Sequence, residues 1–288
     1  MSAQTPIAPL ILIGMHRSGT SLMARCLERI GLFIGKRQDG NSESLLFQRL
    51  NTWLFAQCGG RWDYPLPVED LLADTQSRAG IQEYLRFMLG TPRAAAHLGW
   101  GRYLRLGHVG RYPAPWGWKD PRNTFTLPLW LDVFPGAKVL HVYRHGLDVA
   151  GSLLVRRDKT VPLAIANFRR RKWIHVFLDK KSGFSQSSRC ADVAGGMAVW
   201  SEYMAAARRH VAALGDRARE VRYESFLERP EDLLAEIADF AGLSPTGDAL
   251  VAAVGGITPS RAYAYRRSDL SREAPGFAAQ LAEFGYEA

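Results

Sequence analysis

The stretch Leu10-Ile-Leu-Ile-Gly-Met-His-Arg-Ser-Gly-Thr-Ser-Leu-Met23 decides the fold of this chain. Its four consecutive apolar residues, Leu10 to Ile13, predict a short buried strand. Gly14 and Gly19 bracket a tight turn, and an apolar-periodic helix follows from about Ser18. A strand, a glycine-bounded loop and a helix N-terminus form an anion site, because backbone N–H groups and the positive end of the helix dipole converge there.

The cation of this loop separates it from the phosphate loop of Mg-nucleotide enzymes. The two glycines have that loop's spacing, but Thr20 stands where its lysine is expected, and the cation is Arg17. Mg-nucleotide sites also need a carboxylate after a second strand, whereas the apolar run Lys138–Tyr143 continues into Arg-His. The loop therefore favours metal-free transfer of an already activated group over Mg-ATP chemistry.

A second anion site is indicated by the stretch Arg144-His-Gly-Leu-Asp-Val-Ala-Gly-Ser152. Arg144 follows the apolar run at 138–143, and a helix is predicted to begin just after it. Asp148 and Ser152 are four residues apart and therefore share one helix face. An arginine and a hydroxyl beside a helix N-terminus suit a phosphate, since a guanidinium grips two oxygens. A surface arginine and a helix-packing serine are the equally weighted alternative.

The bulk composition sets broad limits on the class of protein. The chain has 288 residues, of which 47% are hydrophobic, and a net charge of +9. It has enough apolar residues for a sizeable core, and its charge suits an anionic ligand, nucleic acid or a membrane surface. Three cysteines without a metal or disulfide pattern favour a reducing compartment. Since no apolar run approaches about 18 residues and no basic signal-peptide start is present, we expect a soluble cytoplasmic protein.

Strands that alternate with helices predict a three-layer α/β/α fold with a mainly parallel sheet. One domain is expected over residues 1–288, with a flexible tail at 1–8. Residues 56–115 are interpreted as a connecting region of short helices over the sheet edge. Residues 156–198 are interpreted as a variable insert on the acceptor side. Ligands of such folds gather beyond the carboxyl ends of the strands.

The two anion-site motifs resemble those of sulfotransferases that use 3'-phosphoadenylyl sulfate (PAPS). Three further stretches are similar, in the same order, to tyrosylprotein and bacterial carbohydrate sulfotransferases: Trp118–Arg122, Phe134–Lys138 and Arg222–Pro230. The resemblance covers about residues 9–55 and 116–245. It implies the P-loop nucleoside triphosphate hydrolase-like fold of that family. It also implies metal-free transfer of a sulfuryl group from PAPS to a hydroxyl or, less readily, an amine, with adenosine 3',5'-bisphosphate (PAP) as product.

The same resemblance implies donor-binding roles for particular residues. Those implied to cradle the 5'-phosphosulfate are Arg17, Ser18, Gly19, Thr20 and Ser21. Arg144 and Ser152 would hold the 3'-phosphate, and Tyr223 would lie against the nucleotide. Arg266, with Arg267, would close over the 3'-phosphate from the tail. A core tyrosine and a solvated basic patch are the respective alternatives for Tyr223 and for the two tail arginines.

Sulfuryl transfer also needs a base for the acceptor proton and fixed positive charge at the leaving phosphate. The resemblance implies that Arg17 and Lys119 supply the positive charge and that Glu43 is the base. A helix-capping glutamate is the alternative for Glu43, and His16 beside the donor loop is the rival base.

The acceptor is expected to be a small molecule, a carbohydrate or a peptide, with no nucleic acid or membrane partner and an open oligomeric state. The basic run Arg169–Lys172 either meets an anionic acceptor or is a solvated face. Two other functions stay open at this point. One is a P-loop kinase that uses Mg-ATP, and the other is a non-catalytic nucleotide or nucleic-acid binding protein, for which Trp173 beside the basic run is the supporting feature.

Overall fold

The computed structural model describes residues 7–180 and 183–287, so most of the predicted tail at 1–8 lies outside the described residues. Within the described part, the chain forms a sheet of parallel strands in the order β2-β1-β3-β4. The strands are β1 (Leu10–Ile13), β2 (Gly117–Lys119), β3 (Lys138–Tyr143) and β4 (Ala218–Arg222). Leu12 pairs with Lys119 on one side and with Leu140 on the other. The loop after β1 therefore leaves the sheet between the ends of β2 and β3.

Alternate residues of β1 face two separate hydrophobic cores. Ile11 and Ile13 belong to one core, whereas Leu10 and Leu12 belong to the other. All four residues are buried, as is typical of a parallel strand with both faces covered. The helices given below as α2, α4 and α7 contribute to the first core, and α1, α11 and α12 contribute to the second. This arrangement confirms the predicted three-layer α/β/α fold.

The helices follow the predicted pattern in most of the chain. They are α1 (Thr20–Arg29), α2 (Leu45–Gln57), α3 (Pro67–Ala73), α4 (Thr75–Gly90), α5 (Ala95–Leu98), α6 (Trp100–Leu106), α7 (Asn123–Val133), α8 (Gly146–Arg171), α9 (Val193–Leu214), α10 (Tyr223–Glu228), α11 (Pro230–Ala241), α12 (Gly247–Val254) and α13 (Ala278–Glu283). The region 56–115 is helical from α3 to α6, and α4 packs its buried face into the first core. The first third of the region 156–198 continues α8, which runs to Arg171 instead of ending near Val155.

The chain divides into two compact units. The sheet unit comprises the residues up to Arg144 together with Tyr203–Ala262, and it contains the whole sheet. The helical unit comprises His145–Glu202 and the tail from Tyr263. The expectation of one domain over residues 1–288 stays a prediction.

Within the helical unit, the first turn of α8 is bound to the tail. The carboxylate of Asp148 accepts hydrogen bonds from the backbone N–H groups of Ala264, at 3.2 Å, and Tyr265, at 2.7 Å. The ring of His145 stacks on that of Tyr265, with 4.3 Å between their centroids. Among the described residues, none of the helices is long and apolar enough to cross a membrane.

Candidate active site

Residues 14–21, the loop predicted to bind the donor and here called the donor loop, are held between β1 and α1 by contacts that need glycine at the first residue. Gly14 has φ +133°, and a Cβ there would lie 2.2 Å from the carbonyl oxygen of Val142. Its N–H donates to Oγ1 of Thr124 at 3.0 Å. Arg17 has φ 72°, a left-handed conformation that costs a non-glycine residue about 1–2 kcal/mol. Strain of this kind persists where the surrounding structure determines the backbone, often at functional sites.

The second glycine of the loop lies under an aromatic ring. Gly19 has φ +92°, and a Cβ there would lie 2.2 Å from Cδ2 of Tyr223. Tyr223, the first residue of α10, is therefore packed directly on the donor loop and is 5% exposed. Ser18 and Thr20 on either side of the glycine are buried, whereas Arg17 is exposed. The structure thus brings Tyr223 to the loop.

Three arginines gather beside this ring. The guanidinium of Arg144 lies 4.9 Å from the ring centroid of Tyr223, and its Nη2 donates to the carbonyl oxygen of Arg261 at 2.7 Å. The pKa of Arg17 is lowered, first by desolvation and then by the positive charges of Arg144 and Arg261. Like charges held together in this way raise the affinity of a site for a polyanion.

A cavity of about 240 Å³ is lined in part by Tyr223. Arg25 and Arg29 of α1 line it, together with Arg261 and the hydroxyl-bearing Thr258. Leu22, Cys26, Leu227 and Ile257 supply apolar wall. An aromatic face, apolar walls and several guanidinium groups in one concave site suit an aromatic ligand that carries phosphate.

A buried ion pair lies at the start of α2. Nζ of Lys119, at the end of β2, donates to Oε1 of Glu43 at 2.9 Å and to Oγ of Ser21 at 3.3 Å. The side chain of Lys119 is 1% exposed and that of Glu43 is 7% exposed. The structure therefore brings together Glu43, Lys119 and the last residue of the donor loop, three residues that were predicted from separate stretches of sequence.

The carboxyl group of Glu43 is basic for a glutamate. Burial raises its pKa, and the negative charge of Asp120 raises it further. The charge and hydrogen bond of Lys119 and the hydrogen bond from Gln48 act in the opposite direction. The net effect is a raised pKa, which is how buried carboxylates become general bases near neutral pH.

The loop that carries Glu43 is tied down on both sides of this residue. The N–H of Glu43 donates to Oδ1 of Asp39 at 2.9 Å, and the N–H of Asp39 returns a bond to the carbonyl oxygen of Glu43 at 3.0 Å. Oγ of Ser44 lies 2.9 Å from Nδ1 of the fully buried His97. These bonds fix the start of α2, whose N-cap residue is Ser44 and not Glu43.

His16, Ser152 and Arg266 are the remaining predicted residues. The ring of His16 packs edge-to-face on Trp62, with 4.8 Å between centroids. Ser152, half-buried on α8, and Arg266 belong to the helical unit. Arg266 lies over the ring of Tyr263 at 4.6 Å and is exposed. Among the described residues, no cluster of three or more histidine, cysteine or acidic side chains is arranged to hold a metal.

Sequence reasoning missed several residues of this site. Arg261 joins Arg17 and Arg144, yet its sequence signal was only membership of a basic tail. Asp120 and Arg122, which lie next to Glu43, were quoted as part of the motif at 118–122 without a role. The available signal was that acidic and basic residues follow a short strand directly, where ligands bind at the edge of a parallel sheet.

Comparisons with known proteins agree with the geometry. A profile described as the sulfotransferase family matches residues 9–247. No curated protein matches the chain. The sulfotransferase domain of the Synechococcus PCC 7002 olefin synthase is similar in structure, with a TM-score of 0.55, 19% identity, and 100% of this chain and 98% of that chain covered. A sulfotransferase domain from the curacin biosynthetic pathway gives a TM-score of 0.51 and 18% identity, over 97% of this chain and 99% of that one. These likenesses confirm the predicted fold class, with its P-loop-like, mainly parallel sheet.

Proposed function

The chain belongs to the sulfotransferase family, and on that premise we propose that it transfers a sulfuryl group from PAPS to a hydroxyl group of its acceptor. The observation that carries the proposal is the contact of Lys119 with both Glu43 and Ser21. This contact joins a raised-pKa carboxylate to a loop built for anions. In-line transfer to a hydroxyl requires a base, a cation and an anion-binding loop in contact with one another.

The donor loop and its surroundings support PAPS as the donor. Loop amides and Arg17 would hold the 5'-phosphosulfate at the start of α1. Arg144 beside Tyr223, and the arginine-lined cavity at that ring, would take the adenosine and its 3'-phosphate. Ser152 and Arg266 stay proposed contributors to the 3'-phosphate site, with no further support from their positions in the helical unit.

The proposed reaction is a single displacement at sulfur. The acceptor oxygen attacks the sulfur atom, and the bond between sulfur and the bridging oxygen of the 5'-phosphate breaks. Glu43 accepts the acceptor proton, while Lys119 and Arg17 stabilise the negative charge that develops on the bridging oxygen. The products are a sulfate ester and PAP, so no metal is needed to balance the step.

The acceptor class and the location of the enzyme are also part of the proposal. We propose a small-molecule, carbohydrate or peptide acceptor that carries a hydroxyl, with an amine as the lesser alternative. A cytoplasmic location suits a protein whose cysteines are thiols and not disulfides.

Ligand-induced stabilisation tests the donor. Thermal unfolding should be measured with PAP, with Mg-ATP and with a short oligonucleotide at equal concentrations. At about 100 times its Kd, PAP should stabilise the protein by about 2.7 kcal/mol, which raises Tm by several degrees. Mg-ATP and the oligonucleotide should raise Tm much less. The absence of a response to PAP would contradict the proposal, and a larger response to Mg-ATP would favour a kinase.

The base is tested by Glu43→Gln. This variant keeps the buried hydrogen-bonding shape but cannot accept a proton, so it should retain the PAP-induced rise in Tm. Its turnover of ³⁵S-labelled PAPS, assayed against a panel of phenols, sugars and tyrosine peptides, should fall by about 10²–10⁴-fold. Glu28→Gln, at an exposed site on α1, serves as the matched control and should retain activity. Full activity of Glu43→Gln would move the base to another residue, with His16 the first to test.

A further inference from the structure

The guanidinium of Arg122 lies between two buried carboxylates of the sheet unit. Its Nε donates to Oδ1 of Asp120 at 3.0 Å, and its Nη2 donates to Oδ2 at 2.8 Å. The same Nη2 is 4.0 Å from Oε2 of Glu43. Arg122 therefore makes two side-chain bonds to Asp120, and its Nη1 donates to Oγ1 of Thr52 at 2.5 Å. The guanidinium stops just short of hydrogen-bond distance from Glu43.

The carboxylate of Asp120 is fixed in its own place, because it is buried and hydrogen-bonded. It is 0% exposed, and its Oδ2 accepts a bond from Nδ2 of Asn51 at 3.0 Å. Asn51 is also fully buried, and its Oδ1 accepts from Oγ1 of Thr126 and Nε1 of Trp130, both at 2.9 Å. These bonds fix the asparagine in one orientation.

The same network reaches the central strand through a second amide. Nδ2 of Asn51 also donates to Oδ1 of Asn123 at 2.8 Å, and Nδ2 of Asn123 donates to the carbonyl oxygen of Leu12 at 3.1 Å. Asp120 is thus anchored to α2, to α7 and to β1. A buried polar network in which each member has partners is rigid.

We propose that Asp120 is a positioning residue for the proposed sulfuryl transfer. It holds the guanidinium of Arg122 away from Glu43, so that Lys119 and not Arg122 is the close cationic partner of the base. The inference rests on the proposed function, since it assigns a purpose to the basicity of Glu43. A base paired tightly with two cations would be a weak acceptor for the proton of the attacking hydroxyl.

The charges around Glu43 agree with this role. Lys119 faces it from β2, Asp120 and Arg122 face it from the turn after β2, and Asp39 faces it from its own loop. The pKa of Glu43 is raised by burial first and by Asp120 second. Removal of the Asp120 charge would lower this pKa directly, and it would also release Arg122 to pair with Glu43.

A double-mutant cycle read by carboxyl NMR tests the proposal without an acceptor. The protein is labelled with ¹³C at the glutamate carboxyl groups, and the Glu43 signal is identified by its loss in Glu43→Gln. Asp120→Asn should lower the Glu43 pKa by about one unit or more, the size expected when a neighbouring charge changes. Arg122→Gln should raise it. Arg122→Gln should raise the Glu43 pKa by more in the Asp120→Asn background than in the natural sequence, because Arg122 reaches Glu43 only when Asp120 no longer holds it.

The cycle separates positioning from a merely structural role. If Arg122→Gln raises the Glu43 pKa by the same amount in both backgrounds, Asp120 acts only through its own charge, and the proposal is overturned. An unchanged Glu43 pKa in Asp120→Asn also overturns it. If Asp120→Asn does not fold, Asp120→Glu replaces it in the cycle, because it keeps the charge but displaces the carboxylate; an equal effect of Arg122→Gln in both backgrounds again overturns the proposal.

Activity and ligand binding distinguish this inference from the proposed function. In the pH profile of PAPS turnover, the acidic limb should lie at lower pH in Asp120→Asn and the plateau should be lower. Its PAP-induced rise in Tm should be that of the natural sequence. If PAP does not raise Tm, the proposed function is contradicted. If PAP raises Tm but the Glu43 pKa does not change in the cycle, only the role of Asp120 is contradicted.

Discussion

Arg144 is the residue at which aromatic and ionic contacts of the donor site meet. Its guanidinium lies over the ring of Tyr223, and it also donates to the backbone of Arg261. Tyr223 in turn covers Gly19 of the donor loop. A substitution of Arg144 therefore alters contacts of the cavity, the ring and the loop together.

We expect Arg144→Ala to weaken PAP binding by about 10–100-fold. The loss of hydrogen bonds to a charged group costs about 1.5–3 kcal/mol, and each 1.4 kcal/mol is a factor of ten in affinity. The affinity of Arg144→Lys for PAP should lie between that of the natural sequence and that of Arg144→Ala. Lysine keeps the charge but loses the planar group that donates two hydrogen bonds side by side. Isothermal titration with PAP measures the three affinities.

The matched control is Arg105→Ala, which removes an exposed arginine from α6. It should leave the Kd for PAP within about a factor of two, the scatter expected for a surface change. Equal losses in Arg144→Ala and Arg105→Ala would mean that net charge, and not the geometry at Tyr223, determines affinity.

At the scale of elements, the junction of β1 with α1 depends on the close approach of α10. The Gly19→Ala variant would place a methyl group 2.2 Å from the Tyr223 ring in a backbone conformation of φ +92°. We expect a lower Tm and the loss of most of the PAP-induced stabilisation. Thermal unfolding with and without PAP measures both.

Gly101→Ala is the control for this glycine. Gly101 lies in α6, and a Cβ there meets nothing within 4 Å. Alanine is favoured over glycine in a helix by about 1 kcal/mol, so this variant should be as stable as the natural sequence or slightly more stable. If Gly19→Ala behaved like Gly101→Ala, the ring would not be seated on the loop.

His97 of the short helix α5, which contacts Ser44 beside Glu43, makes the free energy of unfolding depend on pH. Burial lowers the pKa of His97 to about 3, whereas an unfolded histidine titrates near 6.5. Among the described residues, its Nε2 has no hydrogen-bond partner. Between these two pKa values, His97 is protonated in the unfolded chain but not in the folded chain. The free energy of unfolding is therefore retained above about pH 6.5 and falls progressively as the pH drops toward 3.

We therefore expect His97→Gln to lose less stability than the natural sequence when the pH falls from 7 to 4.5. The difference should be about 2.7 kcal/mol, from 1.36 kcal/mol for each of the two pH units between the unfolded pKa of about 6.5 and pH 4.5. Urea unfolding at the two pH values measures it. His175→Gln, at an exposed site in the helical unit, should keep the pH dependence of the natural sequence. Parallel behaviour of the two variants would show that His97 is not the residue responsible.

The elements also show what was predictable from sequence. The strands β1 and β3 and the helix α11 were read correctly, because continuous apolar runs and terminal Pro and Gly signals are local. The end of α8 was not, since Arg171 carries no stop signal and Pro162 lies inside the helix. The separate roles of Glu43 and Lys119 followed only from the family resemblance, and their contact was not predicted. The network of Asn51 and Asp120 joins residues 69 apart in the chain, which no local pattern records.

At the scale of the whole molecule, the net charge of +9 adds a long-range attraction for anions to the local contacts. We expect the Kd for PAP to rise several-fold between 0.1 M and 1 M NaCl, as the Debye length shortens from about 10 Å to about 3 Å. Titrations at the two salt concentrations measure the change. Arg144→Ala should show a smaller ratio, since one charge of the site is already absent, and a Kd independent of salt would contradict the electrostatic account.

The central position of β1 has a consequence for how the chain matures. Gly14 is bound to Thr124, which lies 110 residues later, and the ring over Gly19 belongs to Tyr223. A ribosome adds about 5–20 residues each second, so roughly ten seconds or more pass before the donor loop meets its last neighbour. The sheet partners of β1 come earlier, but still more than 100 residues after it, because β2 ends at Lys119 and β3 ends at Tyr143. Until β2 and β3 are made, the nascent chain carries an unpaired apolar strand, which is prone to aggregate.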